Sequence, residues 1–214
     1  LRNAAREGSR TIYGAAFKAI GLVECLEQAR RHPHYAAALG ANQGRGVAAG
    51  FWFNAGMQSS AAVHLTENGK LLLEEGSVDI GGSRASMALI AAETLGMPYA
   101  SVKPAVVDTS GIGYSDLTGG SRTTYATGCA VIEACRDLIA KLCARAALEW
   151  GVDAARVAWR DGVACHPDAP ATVLDIAALA RLSARAGGPL SGYGSVNLKV
   201  VAPAFAVDIA DIEV

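Results

Sequence analysis

One tetrapeptide constrains this chain more than any other feature. Gly81-Gly82-Ser83-Arg84 recurs as Gly119-Gly120-Ser121-Arg122, and each copy lies between a strand-like run and a helical pattern. The first N–H groups of a helix have no intrahelical acceptor, and the aligned peptide dipoles put partial positive charge there. Glycines let the backbone curl into a concave nest that can come close to an oxyanion. Serine adds a hydroxyl, and arginine adds a planar fork that matches phosphate. Thr123 and Thr124 bring two more hydroxyls to the second copy. Each copy suits a phosphate or a polar cofactor edge. Two copies suggest one ligand with several anionic groups lying across both helix starts. The alternative is structural: serine is a common N-cap and glycine a common loop residue, so the same residues could serve only to begin helices.

The runs around these loops predict an α/β (α+β) fold of mixed sheets packed against helices. The spacing of Phe17, Ile20, Val23, Leu26 and Ala29 predicts a helix over Tyr13–Arg31, ended by His32-Pro33-His34. Gly46–Asn54 and Ala61–Thr66 read as strands, and Asn68-Gly69 as a two-residue hairpin turn into Leu71–Glu74. Two strand–loop–helix units follow. The first has a strand over Leu73–Ile80 and a helix over Arg84–Leu95, with Met87, Ile90, Ala91 and Leu95 on one face. The second has a strand over Val102–Asp108, a glycine-rich loop, and a long helix over Arg122–Trp150 with a stripe of Ile132, Cys135, Ile139, Leu142 and Ala146. Beyond it lie a hairpin around Asp161-Gly162, a helix opened by Thr172-x-x-Asp175 and running to Ala186, and strand-like residues interrupted at Pro203. The coarse division is a helical lead-in (1–43), a cofactor-binding α/β core (44–150) and a satellite of hairpin, helix and terminal strands (151–214). The chain opens at Leu1 and stops in the alternating pattern Ala206–Val214, so it reads as a segment of something longer, truncated at both ends.

Composition excludes several classes. A 51% apolar, 18% charged chain can build a core, and a net charge of -1 without a basic stripe argues against nucleic-acid binding. Five cysteines without CxxC spacing read as reduced, small apolar residues in a reducing, cytoplasmic setting, and no Cys/His spacing suits a metal. No apolar run is long enough for a membrane span, and no signal peptide is apparent. The P-loop pattern and the G-x-G-x-x-G fingerprint are missing. His64 reads as a paired sheet histidine and Phe51-Trp52-Phe53 as core. Asp108-Thr109, at a strand end, reads as either a ligand contact or a strand cap.

A set of further motifs runs in order along the chain. These are Gly44-Arg45-Gly46-Val47-Ala48, the Asn68-Gly69 hairpin, Asp79-Ile80-Gly81-Gly82, Ile90-Ala91-Ala92-Glu93, Val107-Asp108-Thr109, and Gly119-Gly120-Ser121-Arg122-Thr123-Thr124 followed by Gly128. The opening Leu1-Arg2-Asn3 and Gly21-Leu22-x-Glu24-Cys25-Leu26-Glu27 belong to the same order. Together they resemble the molybdopterin-binding large subunit of the xanthine dehydrogenase / aldehyde oxidase family, particularly its bacterial members.

The resemblance implies a molybdopterin-cofactor-binding-domain-like fold and two cofactor loops. One, of G-Q-G form, lies near the molybdenum. The other, of G-S-R-[ST] form, holds the phosphates of a pterin dinucleotide, usually with cytosine as its terminal base. Gly119, Gly120, Ser121, Arg122, Thr123 and Thr124 match the second. Gly81, Gly82, Ser83 and Arg84 match the first in part, since no glutamine is present there. The family hydroxylates aldehydes or N-heteroaromatics with water-derived oxygen and passes electrons to iron–sulfur clusters and FAD on partner subunits or domains. Its metal is held by the pterin, and its base is a glutamate in a segment with no counterpart here. The resemblance therefore implies a cofactor-binding portion that needs the remainder of the large subunit for turnover. The residues alone leave two other readings open: a phosphate or nucleotide-ligand binding module without redox chemistry, and a structural fragment whose loops only cap helices.

Overall fold

The structure, a computed structural model, describes every residue except Tyr13, Thr109 and 200–202, so the start of the expected first helix and half of the Asp108-Thr109 pair lie outside the described residues. The chain divides into two compact units, Leu1–Ala55 with Val200–Val214, and Gly56–Lys199.

In the first unit, helix α1 (Leu22–Arg31) and the one-turn α2 (Pro33–Ala36) precede strand β1 (Gln43–Trp52). The helix begins nine residues later than the spacing of Phe17 and Ile20 suggests, and an isolated bridge between Arg10 and Ala16 occupies the region before it. Proline at the first position of α2 starts a new turn, because its missing N–H is not needed there. Phe51, Trp52 and Phe53, expected in a core, are 64%, 57% and 39% exposed.

The second unit carries the glycine loops. Strand β2 (Met57–Leu65) turns through Asn68-Gly69 into β3 (Leu71–Glu75), antiparallel, as the Asn-Gly signal predicts. Helix α3 (Ser83–Leu95) then crosses to β4 (Val102–Val106), which pairs parallel with β3. Helix α4 (Gly128–Trp150) follows the second glycine loop. Next come the short strands β5 (Ala158–Arg160), β6 (Val163–Cys165) and β7 (Val173–Asp175), which form a three-stranded antiparallel sheet, and helix α5 (Ile176–Arg185). Asp175 caps α5 by accepting the Ala178 N–H, so the cap lies three residues after Thr172, which precedes a strand instead. Strand β8 (Ser191–Leu198) closes the main sheet in the order β4-β3-β2-β8, and β9 (Ala204–Glu213) pairs antiparallel with β1 in the first unit. The last third of the chain is thus divided between both units.

Period-2 alternation aims Ala61, Val63 and Leu65 of β2 and Leu71 and Leu73 of β3 at the helices, where all five are buried. Met87, Ala91 and Leu95 of α3 and Leu138 and Leu142 of α4 meet them. The α4 stripe is wider than the spacing predicts: Cys135, Leu142 and Ala146 are buried as expected, Val131, Ala134 and Leu138 are buried beside them, and Ile132 and Ile139 are at its margin. A close approach accounts for the added width. A Cβ on Gly192 or Gly194 of β8 would stand 2.1 Å from the carbonyl oxygens of Ala134 and Ala130, so α4 lies directly on the β8 backbone through its alanines.

Parallel pairing of β3 and β4 has a direct consequence for function. Both glycine loops leave the carboxyl ends of neighbouring parallel strands, so both helix starts emerge at one edge of the sheet, where open α/β sheets receive ligands.

Candidate functional site at the helix starts

The two loops meet at that edge. Gly76, at the root of the first, would carry a Cβ 3.4 Å from Ile112 and Ser115 of the second. Ser77 Oγ lies 2.8 Å from Thr127 Oγ1, one turn into the second helix start.

The first loop is closed on itself. Gly81 and Gly82 adopt left-handed φ values of 99° and 98°, which turn the N–H groups of residues 81–83 inward. Asp79 fills the resulting nest. Its Oδ1 accepts the N–H groups of Gly81 (3.2 Å), Gly82 (2.9 Å) and Ser83 (3.0 Å) and the Ser83 hydroxyl (3.1 Å), while Oδ2 accepts Nε–H of Arg84 at 2.9 Å. The Arg84 hydrogen bond above all, then those of Ser83 and the glycines, holds this carboxyl well below the usual carboxylate range. An anion therefore does sit at the α3 start, and the chain itself supplies it.

The second loop is open on its outer side and pinned from within. Asp116 anchors its first half to β2: Oδ2 accepts the Gln58 N–H at 2.9 Å, and the Asp116 N–H donates to the Gln58 carbonyl at 3.0 Å. Gly120 and Ser121 then take left-handed φ values of 63° and 56° before Arg122 returns to the right-handed region, a combination that directs successive N–H groups to one side. Residues 123–127 form a single π-helical turn leading into α4, a geometry that recurs at functional sites.

Arg122 was expected to present its fork to phosphate. It is fully buried instead, and all five of its N–H groups point to protein acceptors. Nε donates to Gly56 O at 3.0 Å, Nη1 to Asp116 O at 2.9 Å and Leu117 O at 3.3 Å, and Nη2 to Gln58 O and Ser59 Oγ. Burial lowers its pKa from the ordinary arginine value, and nearby Asp116 opposes that shift. The guanidinium clamps the loop to the sheet. Outside it, Ser121 and Thr124 are exposed and Gly119 and Gly120 partly so. Thr123 is buried, and among the described residues its hydroxyl oxygen has no hydrogen-bond partner. A buried hydroxyl without a partner is costly, so this atom is open to a group from outside the loop.

Several functional features escaped the sequence reading. Asp79 as the internal anion was visible in principle, since a carboxylate just before Gly-Gly-Ser can cap a helix start. The π turn and the inward Arg122 left no local signal. His64 is paired, with Nδ1 2.7 Å from Ser191 Oγ and Nε2 3.1 Å from Glu74 Oε2. Among the described residues, no cluster of three or more His, Cys, Asp or Glu side chains could hold a metal, and no helix is long and apolar enough to cross a membrane.

Comparison with known proteins agrees with this architecture. The chain is 35% identical over 145 residues to the aldehyde oxidoreductase molybdenum-binding subunit PaoC of Escherichia coli (strain K12), covering 66% of this chain and 19% of that protein. It is 33% identical over 86 residues to xanthine dehydrogenase of Emericella nidulans, covering 40% of this chain and 6% of that protein. The fold superposes on CO dehydrogenase from Oligotropha carboxidovorans with a TM-score of 0.79 at 19% identity, over 94% of this chain and 29% of that one. The chain thus spans less than a third of these proteins. A family model described as the molybdopterin cofactor-binding domain matches residues 22–214, and the chain belongs to that family.

Proposed function

We propose that residues 119–124 hold the phosphates of a molybdopterin dinucleotide, with cytosine as its terminal base, within a molybdenum-dependent oxidoreductase. The observation that carries this reading is the Thr123 hydroxyl, buried and without a partner among the described residues, at the turn leading into α4. An anionic oxygen fits there: the hydroxyl can donate to it, the start of a helical turn offers backbone N–H groups, and the helix dipole favours its charge. Ser121 and Thr124 extend the same edge with hydroxyls, and Gly119 and Gly120 let the backbone approach. Arg122 acts behind the loop by holding its curvature, and the ligand meets the backbone that Arg122 has shaped. Gly81, Gly82, Ser83 and Arg84 form the adjoining wall. The N–H groups of Gly81, Gly82 and Ser83 already belong to Asp79, so the share of this loop is the half-exposed Arg84 guanidinium, which gives Nε to Asp79.

When bound, the cofactor supplies the molybdenum centre at which an aldehyde or N-heteroaromatic carbon is hydroxylated with oxygen from water. This chain's residues bind and orient its dinucleotide end. The remainder of the large subunit, iron–sulfur clusters and FAD on partner domains or subunits would complete the assembly.

The test is chemical. In the full-length assembly, acid-released cytidine nucleotide should match molybdenum one to one, and Thr123→Val should lower both together. Removing one hydrogen bond to a charged group costs about 1.5–3 kcal/mol, roughly tenfold or more in affinity. Wild-type protein that carries molybdenum but no nucleotide would overturn the dinucleotide assignment. Tight binding of some other phosphorylated ligand without molybdenum would favour a binding module without redox chemistry.

A further inference from the structure

A buried line of hydroxyls joins the two glycine loops. Arg122 Nη2 donates to Ser59 Oγ, Ser59 Oγ lies 3.1 Å from Thr127 Oγ1, and Thr127 Oγ1 lies 2.8 Å from Ser77 Oγ. The Ser77 N–H in turn donates to Glu75 Oε2 at 2.6 Å. Ser59, Thr127 and Arg122 are 0% exposed, Glu75 1% and Ser77 3%. Each hydroxyl has one proton, and a guanidinium can only donate. Ser59 accepts from Arg122, and since a hydroxyl oxygen can accept twice, either partner can donate in the Ser59–Thr127 and Thr127–Ser77 contacts. Linked hydrogen bonds in a low-dielectric interior reinforce one another, and a break leaves unpaired buried groups on both sides.

The geometry of the line matters because of what its ends support. Ser77 lies two residues before Asp79, the anion that closes the first loop, and Arg122 clamps the second loop to β2. Thr127 is the one member in contact with both branches. It also ends the π turn that begins at Thr123, so its position sets where the unpartnered Thr123 hydroxyl is presented.

We propose that Thr127 is a positioning residue whose hydroxyl ties the two glycine loops together, so that loosening one loosens the other. Its consequence for the cofactor rests on the reading of residues 119–124 given above; the tie between the loops does not.

The test uses the full-length molybdenum subunit with its partners. Thr127→Val keeps the shape of the side chain and removes the hydroxyl, and Thr127→Ser restores it. Amide hydrogen exchange is followed at residues 81–84 and 119–124, and released nucleotide is counted on the same samples. The expected result for Thr127→Val is at least tenfold faster exchange in both loops and a loss of more than half of the bound nucleotide, with Thr127→Ser close to wild type in both. Ser77→Ala cuts the same line at its first-loop end, should speed exchange in the second loop as well, and stands in if Thr127→Val fails to fold. Unchanged exchange in the second loop of a folded Ser77→Ala or Thr127→Val subunit overturns the proposal. Faster exchange in both loops with full nucleotide content supports the tie and counts instead against residues 119–124 as the nucleotide grip.

Discussion

Arg122→Ala separates an arginine that holds a ligand from one that holds the fold. Five protein acceptors face the guanidinium: the carbonyls of Gly56, Gln58, Asp116 and Leu117 and the hydroxyl of Ser59. Each buried acceptor left unsatisfied costs about 1–3 kcal/mol, and water entering the vacated space recovers part of that. Removing one partner from a buried charged network typically costs about 3–5 kcal/mol, which we take for the whole site. With a urea dependence of about 2 kcal/mol per molar, the unfolding midpoint should fall by about 1.5–2.5 M. Arg122→Lys keeps the charge but offers three donors from a single point, so about two of the five bonds disappear and the loss should be about 1–3 kcal/mol. The assay is urea unfolding of the cofactor-free subunit, followed by circular dichroism. The cofactor-free state is essential, because a ligand-contacting arginine leaves it unaffected. An unchanged midpoint in cofactor-free Arg122→Ala, with nucleotide lost from the loaded assembly, would refute the clamp and return the guanidinium to the ligand.

Further outcomes follow from the same geometry. Asp79 has a folded-state pKa below its unfolded value, so its contribution is present above the ordinary aspartate value of about 3.9 and is lost as pH falls through the lower, folded value. Asp79→Asn should therefore lower stability at pH 7 and flatten the acid limb of a thermal-melting profile; an unaltered acid limb would contradict this. Glu75 behaves oppositely: burial, against the opposing Ser77 hydrogen bonds, raises its carboxyl, so the folded state is penalised as pH climbs from the ordinary glutamate value of about 4.3 toward the higher folded value. Glu75→Gln, neutral throughout, should gain on wild type in melting temperature as pH rises above the ordinary glutamate value, and a difference that stays constant as pH rises would contradict the raised carboxyl. Gly194→Ala puts a methyl 2.1 Å from the Ala130 carbonyl oxygen and should cost about 1–3 kcal/mol or more, read as a lowered melting temperature.

The residues disclosed the local layout well. Asn68-Gly69 is the hairpin turn, the two Gly-Gly-Ser-Arg copies each stand between a strand and a helix, and Asp161-Gly162 forms the later hairpin. These features depend on neighbours in sequence, where turn chemistry and periodicity act directly. What stayed hidden depends on contacts across the chain. Ser191–Leu198 reads locally as one more terminal strand, yet it completes the main sheet because Gly192 and Gly194 admit the backbone of α4. Thr172-x-x-Asp175 has the spacing of a capping box, but pairing with β6 draws Val173–Asp175 into a sheet and leaves Asp175 as the cap. The site divides in the same way. Its position at two helix starts was apparent, while the direction of Arg122 was not. An arginine fork fits carbonyl oxygens as well as phosphate, and only the fold of residues 56–59 and 116–117 around it decides between them.

The most direct measurement is a density map of the intact molybdenum subunit around residues 119–124. Our account predicts phosphate oxygens within hydrogen-bonding distance of Thr123 Oγ1 and the adjacent backbone N–H groups, with Arg122 still turned inward. A dinucleotide whose phosphates lie away from that turn, with the Thr123 hydroxyl bonded to water or protein alone, would contradict it.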